Sequence, residues 1–217
     1  MKYFNSVVFD VDSTLVTIEG LDFLAKLKGK GEELSQLTEK SMGGLISVKE
    51  AMSIKMSILS PSYDDLVGMG HAYIENVTKG AKETVSALKK HGVRVWIVTG
   101  NFQPAVGMLA KHLDIDERLV ITNRVFFDKN QNYLNFDIEN PLSSNMGKVS
   151  VVSKYKTKMG KVVFVGDGST DLETKNMVEL FIGFGGVVQR TNVATNSDVY
   201  ITEPDLKAIL PHIMSNY

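Results

Sequence analysis

Four acidic residues stand directly after two short apolar runs. Ser6 to Phe9 leads into Asp10-Val11-Asp12-Ser13-Thr14, and Val162 to Val165 leads into Gly166-Asp167-Gly168-Ser169-Thr170-Asp171. A third run, Val93 to Val98, ends in Thr99-Gly100-Asn101. Short runs rich in Val and Ile read as buried strands, and in an open α/β sheet ligands bind beyond the carboxyl ends of strands. Carboxylates at Asp10, Asp12, Asp167 and Asp171 gathered at one sheet edge would repel one another strongly unless a cation lay among them. Such an all-oxygen set suits a hard ion that keeps several waters, and Mg2+ fits best. Thr99 and Gly100 offer a hydroxyl and backbone amides where a helix is expected to begin, a ready anion site. Gly166 and Gly168 let the backbone turn sharply and approach a ligand closely. A lone Asp-x-Asp is a common turn; three such strand ends in order point to one site.

The elements that must position these groups follow from periodicity. Further strand-like runs are Leu119 to Thr122, Leu180 to Ile182 and Val199 to Ile201, with helical patterns between them at Ala81 to Lys90 and Ala105 to His112. The alternation predicts an α/β fold, a doubly wound, Rossmann-like parallel sheet. Between the first two strands lie about eighty residues of mostly helical pattern, more than one crossover needs. This excess predicts an inserted helical cap domain of residues 16–76 on a core of residues 1–15 and 77–217. Arg124 to Phe136, with Asp128-Lys129-Asn130-Gln131-Asn132 at its centre, predicts a β-hairpin at the edge of the core.

Composition sets the outer bounds. The chain has 217 residues, enough for one core with a small accessory domain. A net charge of −1 gives no reason to expect nucleic acid or an anionic membrane as partner. With no cysteine, disulfides, thiolate nucleophiles and cysteine-held metals are excluded. No apolar run approaches a membrane span, and Val7-Val8-Phe9 is too short for a secretory signal. A cytoplasmic enzyme, monomer or homodimer, is the expectation.

Asp10-Val11-Asp12-Ser13-Thr14-Leu15-Val16, Thr99-Gly100 and Gly166-Asp167-Gly168-Ser169-Thr170-Asp171 resemble three signature motifs of the haloacid dehalogenase superfamily. Phe181-Ile182-Gly183-Phe184-Gly185-Gly186 and the place of the cap resemble its phosphoserine phosphatase branch. The resemblance implies that Asp10 attacks phosphorus and becomes an aspartyl-phosphate, splitting one hard step into two. It implies that Asp12 protonates the leaving oxygen and later takes a proton from water, which requires a raised pKa. Mg2+ would be held by Asp10, the main-chain carbonyl of Asp12 and Asp167, with Asp171 orienting a bound water. Thr99, Gly100, Thr170 and a lysine would hold the phosphorylated substrate.

Counting back from Asp167 without gaps puts Met146 where the family has its lysine. Helix phase favours Lys148, because Val151 and Val152 follow it at three and four positions. Lys148 is therefore the expected phosphate ligand, with a shortened loop near Thr157 to Gly160 reconciling the spacing; the alternative is a solvated lysine at a helix start.

For substrate recognition, Glu19 matches the acidic residue that meets a substrate ammonium in that branch, and Lys55 stands where an arginine normally reads the carboxylate. Ser47-Val48-Lys49-Glu50 reads as a capping box, and Val48, Met52, Lys55 and Leu59 form an apolar stripe on the helix it opens. Lys55 either faces the site or snorkels to solvent; facing the site, it offers one point charge rather than a fork. Met42 and Val48 are expected in the cap core, with the apolar wall of the pocket as the alternative, Trp96 in a buried strand, and His71, His91, His112 and His212 on the surface. The expected function is hydrolysis of a small phosphorylated metabolite, O-phospho-L-serine first, beneath a closing cap. Transfer of the phosphoryl group to an acceptor alcohol and silent phosphate binding remain as alternatives.

Overall fold

A computed structural model describes residues 4–42 and 45–214. Six strands form one parallel sheet: β1 (Ser6–Phe9), β2 (Arg94–Phe102), β3 (Val120–Asn123), β6 (Val162–Gly166), β7 (Leu180–Phe184) and β8 (Val199–Ile201). Their order is β3-β2-β1-β6-β7-β8, so the chain winds outward in one direction from β1 and then in the other from β6. β1 pairs with β2 through Val8↔Trp96 and with β6 through Val8↔Phe164. The expected doubly wound core is therefore present, and β2, β1 and β6, which carry the candidate site, are its three adjacent central strands.

Both faces of the sheet are covered, which is why β1 is buried at every position. On one face Val7 and Phe9 pack with α5 (Ala81–Lys90) and α6 (Ala105–His112) through Val85, Leu88, Val106 and Leu109. On the other, Val8, Trp96 and Phe164 meet α7 (Gly147–Met159) through Val151 and Val152. Trp96 is fully buried; its indole donates to Ser6 Oγ at 3.2 Å, and Ser6 Oγ donates to the Met159 carbonyl at 2.8 Å. The expected hairpin is β4 (Val125–Phe127) paired antiparallel with β5 (Tyr133–Phe136).

Among the described residues, four α-helices lie between β1 and α5: α1 (Gly20–Leu27), α2 (Gly31–Met42), α3 (Val48–Leu59) and α4 (Tyr63–Glu75). The segment leaves and returns side by side. Val16 and Val77 form an antiparallel bridge, Thr17 N–H donates to the Asn76 carbonyl at 2.8 Å, and Thr78 N–H to that of Leu15 at 2.9 Å. α4 lies close against α6, where a Cβ on Gly70 would crowd the Met108 sulfur and the Ala105 backbone. Only half of the capping box expected at Ser47 forms, Ser47 Oγ accepting Glu50 N–H at 3.1 Å. The reciprocal box is Ser62 with Asp65, opening α4. Among the described residues no helix is long and apolar enough to cross a membrane.

Candidate active site

Because β1, β2 and β6 are neighbours in register, Asp10, Thr99 and Asp167 meet at one edge of the sheet. Asp171 joins them from α8 (Ser169–Leu172), its Oδ2 accepting Gly168 N–H at 2.9 Å. Gly166 is required here, since any Cβ would collide with the Asp171 carboxylate. Asp10, Asp167 and Asp171 are all buried, and one oxygen from each lies within 4.8 Å of the others.

Lys148, not Met146, reaches this cluster. Its Nζ lies 2.9 Å from Asp10 Oδ1 and 2.5 Å from Asp171 Oδ1. Met146 is exposed and caps α7 in the left-handed region at φ 59°, its N–H held by Glu173 Oε2 at 2.7 Å. Gly147 follows because its Cα lies against the Pro141 carbonyl and leaves no room for a Cβ. This tight start brings Lys148, Val151 and Val152 onto one buried face, the phase that periodicity predicts.

The cluster is short of positive charge. Burial raises the Asp171 carboxyl to about 7; Lys148 pulls against that shift and Asp10 adds to it. Asp167 is raised to about 6 by burial and by Asp10, while Arg190 opposes. Burial alone would lower Lys148, but Asp10 and Asp171 hold it above the usual lysine range. Asp10 Oδ1 is buried without a directional hydrogen bond, its lysine contact being an ion pair. Lys148 and Arg190 leave this buried, all-oxygen set of three carboxylates with a net negative charge, which fits a hard divalent cation.

Beyond the cluster opens a cavity of about 520 Å³. Asp10, Asp12, Thr99, Gly100, Lys148 and Thr170 line it from the sheet edge, and Glu19 and Lys55 from the inserted helices. Glu19 sits at the N-terminus of α1, where its Oε1 accepts Ser13 Oγ–H at 2.7 Å. Burial lowers the pKa of Lys55, with Asp22 and Glu19 opposing, so the ammonium is not snorkelling freely into water. Val48 and Met52 also border the cavity, which corrects the expectation that Val48 belongs to the core of the inserted helices. The Met42 side chain lies outside the described ones. A second correction concerns Thr99-Gly100-Asn101. No helix begins there: β2 continues to Phe102 with a register shift against β3, and α6 starts only at Ala105. The anion donors at this strand end are therefore a hydroxyl and strand amides rather than a helix terminus.

The Asp12 carboxyl turns away from the cluster. Its Oδ1 accepts the Tyr73 hydroxyl at 2.7 Å, and its Oδ2 accepts Asn101 Nδ2 at 2.8 Å and Gly20 N–H at 2.9 Å. Burial, then the charge of Glu19, raise its pKa well above the ordinary carboxylate value, with Tyr73 and Gly20 opposing.

Three residues at the site escape sequence reading. Arg190 donates from Nε to Asp167 Oδ2 at 2.9 Å and lies 3.5 Å from Glu19 Oε1. A signal for it existed: it follows Phe184-Gly185-Gly186 at the carboxyl end of β7, beside β6. Asn101 was within reach of the Thr99-Gly100 motif. Tyr73 gave no signal, since on the amphipathic α4 it reads as core.

Comparisons with known proteins bear on what this arrangement does. The family model for haloacid dehalogenase-like hydrolases matches residues 7–174. Phosphoserine phosphatase of Bos taurus is 36% identical over 201 residues, 92% of this chain and 89% of the relative. A phosphoserine phosphohydrolase-like protein from Francisella tularensis superposes with a TM-score of 0.84 at 25% identity, over 97% of this chain and 100% of its own. A phosphoserine phosphatase solved as a phospho-aspartyl intermediate analogue gives a TM-score of 0.79 at 26% identity, over 97% of this chain and 99% of that one.

Proposed function

The chain belongs to the haloacid dehalogenase-like hydrolases and is a phosphoserine phosphatase-like phosphoric monoester hydrolase, and on that footing we propose that it hydrolyses O-phospho-L-serine, or a close phosphorylated relative, with Mg2+ and through a phosphate carried on Asp10. The observation that carries this reading is one cavity with two chemically different ends. Asp10 and Lys148 lie at the sheet edge, and Glu19 and Lys55 come from the inserted helices.

Asp10 attacks phosphorus, and the serine oxygen leaves with a proton supplied by Asp12; Asp12 then takes a proton from the water that cleaves the aspartyl-phosphate. The raised pKa of Asp12 supports a proton-carrying role. Lys148 and Thr99 hold the phosphoryl oxygens as their charge is redistributed, and Gly100 and Thr170 complete the cradle. Asp10, Asp167 and the Asp12 main-chain carbonyl would hold Mg2+, with Asp171 behind them. When bound, the ion neutralises charge on the phosphoryl group and orients it. At the other end Glu19 meets the substrate ammonium and Lys55 its carboxylate. Arg190, between Asp167 and Glu19, keeps these two acids apart in their roles. Residues 16–76 act as a cap on a core of 1–15 and 77–217, because the recognition groups come from that segment alone.

Phosphate release from a panel of small phosphate esters with Mg2+ tests the reading in wild type, Asp10→Asn and Lys55→Ala. Selective turnover of O-phospho-L-serine is expected, lost by at least about a thousandfold in Asp10→Asn and weakened mainly in KM by Lys55→Ala. Turnover that favours an ester without a carboxylate, with Lys55→Ala neutral, would sink the substrate. Full activity in Asp10→Asn would sink the mechanism.

A further inference from the structure

Asp12 is gripped by two side chains that the reaction as described does not use. Tyr73 is fully buried on α4, and its hydroxyl donates to Asp12 Oδ1 at 2.7 Å. Asn101, near the end of β2 and on the cavity wall, donates from Nδ2 to Asp12 Oδ2 at 2.8 Å. The third donor, Gly20 N–H, also reaches Oδ2, at 2.9 Å. The contact with Tyr73 is built in: its hydroxyl passes so close to Gly20 that any Cβ there would collide with it. A buried phenol without a partner is costly, and here the partner is this carboxylate.

The distribution of donors has a chemical consequence. A carboxylate offers about four lone-pair positions, two on each oxygen. Gly20 and Asn101 fill both positions on Oδ2, whereas Tyr73 fills one on Oδ1. The open position is therefore on Oδ1, the oxygen that Tyr73 holds. A carboxyl free to rotate about its Cβ–Cγ bond would offer either oxygen in turn; this one is fixed from two sides. The two sides are separate parts of the chain. Asn101 belongs to the sheet, and Tyr73 to the helix of the inserted segment that packs against α6 through Gly70.

We propose that Tyr73 and Asn101 are positioning residues that lock the rotation of the Asp12 carboxyl, so that Oδ1 is the oxygen presented to the leaving group. This rests on the reading of Asp12 as the proton donor in ester cleavage. The bracing acts on the proton transfers of Asp12, of which only the first, protonation of the leaving oxygen, depends on the ester being cleaved. It leaves untouched the attack by Asp10, the phosphoryl cradle, and the recognition of substrate by Glu19 and Lys55.

The test compares kcat/KM for O-phospho-L-serine, whose alkoxide must be protonated to leave, with that for an aryl phosphate whose activated phenolate leaves without a proton. Tyr73→Phe and Asn101→Ala are each expected to lower kcat/KM on phosphoserine roughly tenfold or more, part of the hundredfold or greater contribution typical of a general acid. KM should change less than about threefold, and kcat/KM for the aryl ester should stay within about threefold of wild type, because that ratio covers the steps up to departure of the leaving group, where no donor is needed. Asp12→Asn is the reference and should show the same leaving-group dependence, larger. Equal losses on both esters, or no loss on phosphoserine, in either variant would overturn the bracing role. Leaving-group dependence absent from Asp12→Asn itself would overturn the reading beneath it and the proposal with it. If Tyr73→Phe fails to fold, Asn101→Ala carries the same comparison, because its side chain lies on the cavity wall outside the packed core.

Discussion

The two ends of the cavity are built differently. At the sheet edge Asp10, Asp167, Asp171 and Lys148 are each less than a tenth exposed and lie in contact with one another. At the inserted helices Glu19 and Lys55 are each only half-buried and come from separate elements. The first group is held by adjacent strands and by backbone that tolerates no added Cβ at Gly147 or Gly166. The second is held by helices that join the core through a short antiparallel stem and through α4 packed on α6. Groups that must be aimed before substrate arrives sit where nothing can relax. On the proposed function, the groups that would select among substrates sit apart from the buried cluster, so a substitution there should leave the chemistry in place.

The sharpest way to break this contrast is at Lys148. Lys148→Met should lower phosphate release by roughly a hundredfold or more. By leaving Asp10 and Asp171 without their cation it should also destabilise the fold by about 3–5 kcal/mol. Added Mg2+ should recover part of the lost melting temperature, because a ligand that binds only the folded state stabilises it. Thermal unfolding with and without the ion reads this directly; no Mg2+ response in either wild type or variant would count against the ion site.

Substitutions at Lys55 should act on KM alone. Lys55→Ala is expected to raise KM for phosphoserine roughly tenfold, the value of one hydrogen bond to a charged group, with kcat within about twofold. Lys55→Arg should lower KM by restoring a two-pronged donor. A pH series sharpens the point. Burial lowers the Lys55 pKa, so its charge is present below that value and lost as pH rises through it. In wild type KM should therefore climb on the alkaline side at lower pH than in Lys55→Arg, because arginine keeps its charge. Parallel curves for the two would remove Lys55 from carboxylate recognition.

The smallest effect is expected at Lys49, which joins α3 to the loop after β5 through Glu139 Oε1 at 3.0 Å. Both partners are well exposed, 42% and 80%. Lys49→Ala should cost less than about 1 kcal/mol, fade with added salt, and leave kcat unchanged. A large fall in kcat instead would mean that the position of the inserted helices over the cavity hangs on this pair.

Much of the sheet was legible because its strands are buried on both faces and so read as unbroken apolar runs. β1 and β8 lie where the pattern puts them, and the others differ at their ends by a residue or a few. The largest difference, the extension of β2 through Thr99-Gly100-Asn101 to Phe102, has a local cause. The register shift against β3 lets the strand run on past residues that read as a helix start. Lys148 was legible through helix phase although a count of residues pointed to Met146. Ridge-and-groove packing fixes phase, whereas loop length is free to vary.

What the amino-acid order determined by itself was which groups the site has at its sheet edge: Asp10, Asp12, Asp167 and Asp171 each follow a strand within a few residues and Thr99 lies near the carboxyl end of one, and apolar runs mark where those strands lie. Only the tertiary structure decided how Asp12 is held and what completes the site. Tyr73 lies 61 residues from Asp12, Asn101 lies 89, and Arg190 stands 23 beyond Asp167. No periodicity links such positions. A buried carboxylate must find donors wherever folding brings them, and that meeting depends on how α4 packs on α6 and where the chain turns after β7, which no window of sequence contains.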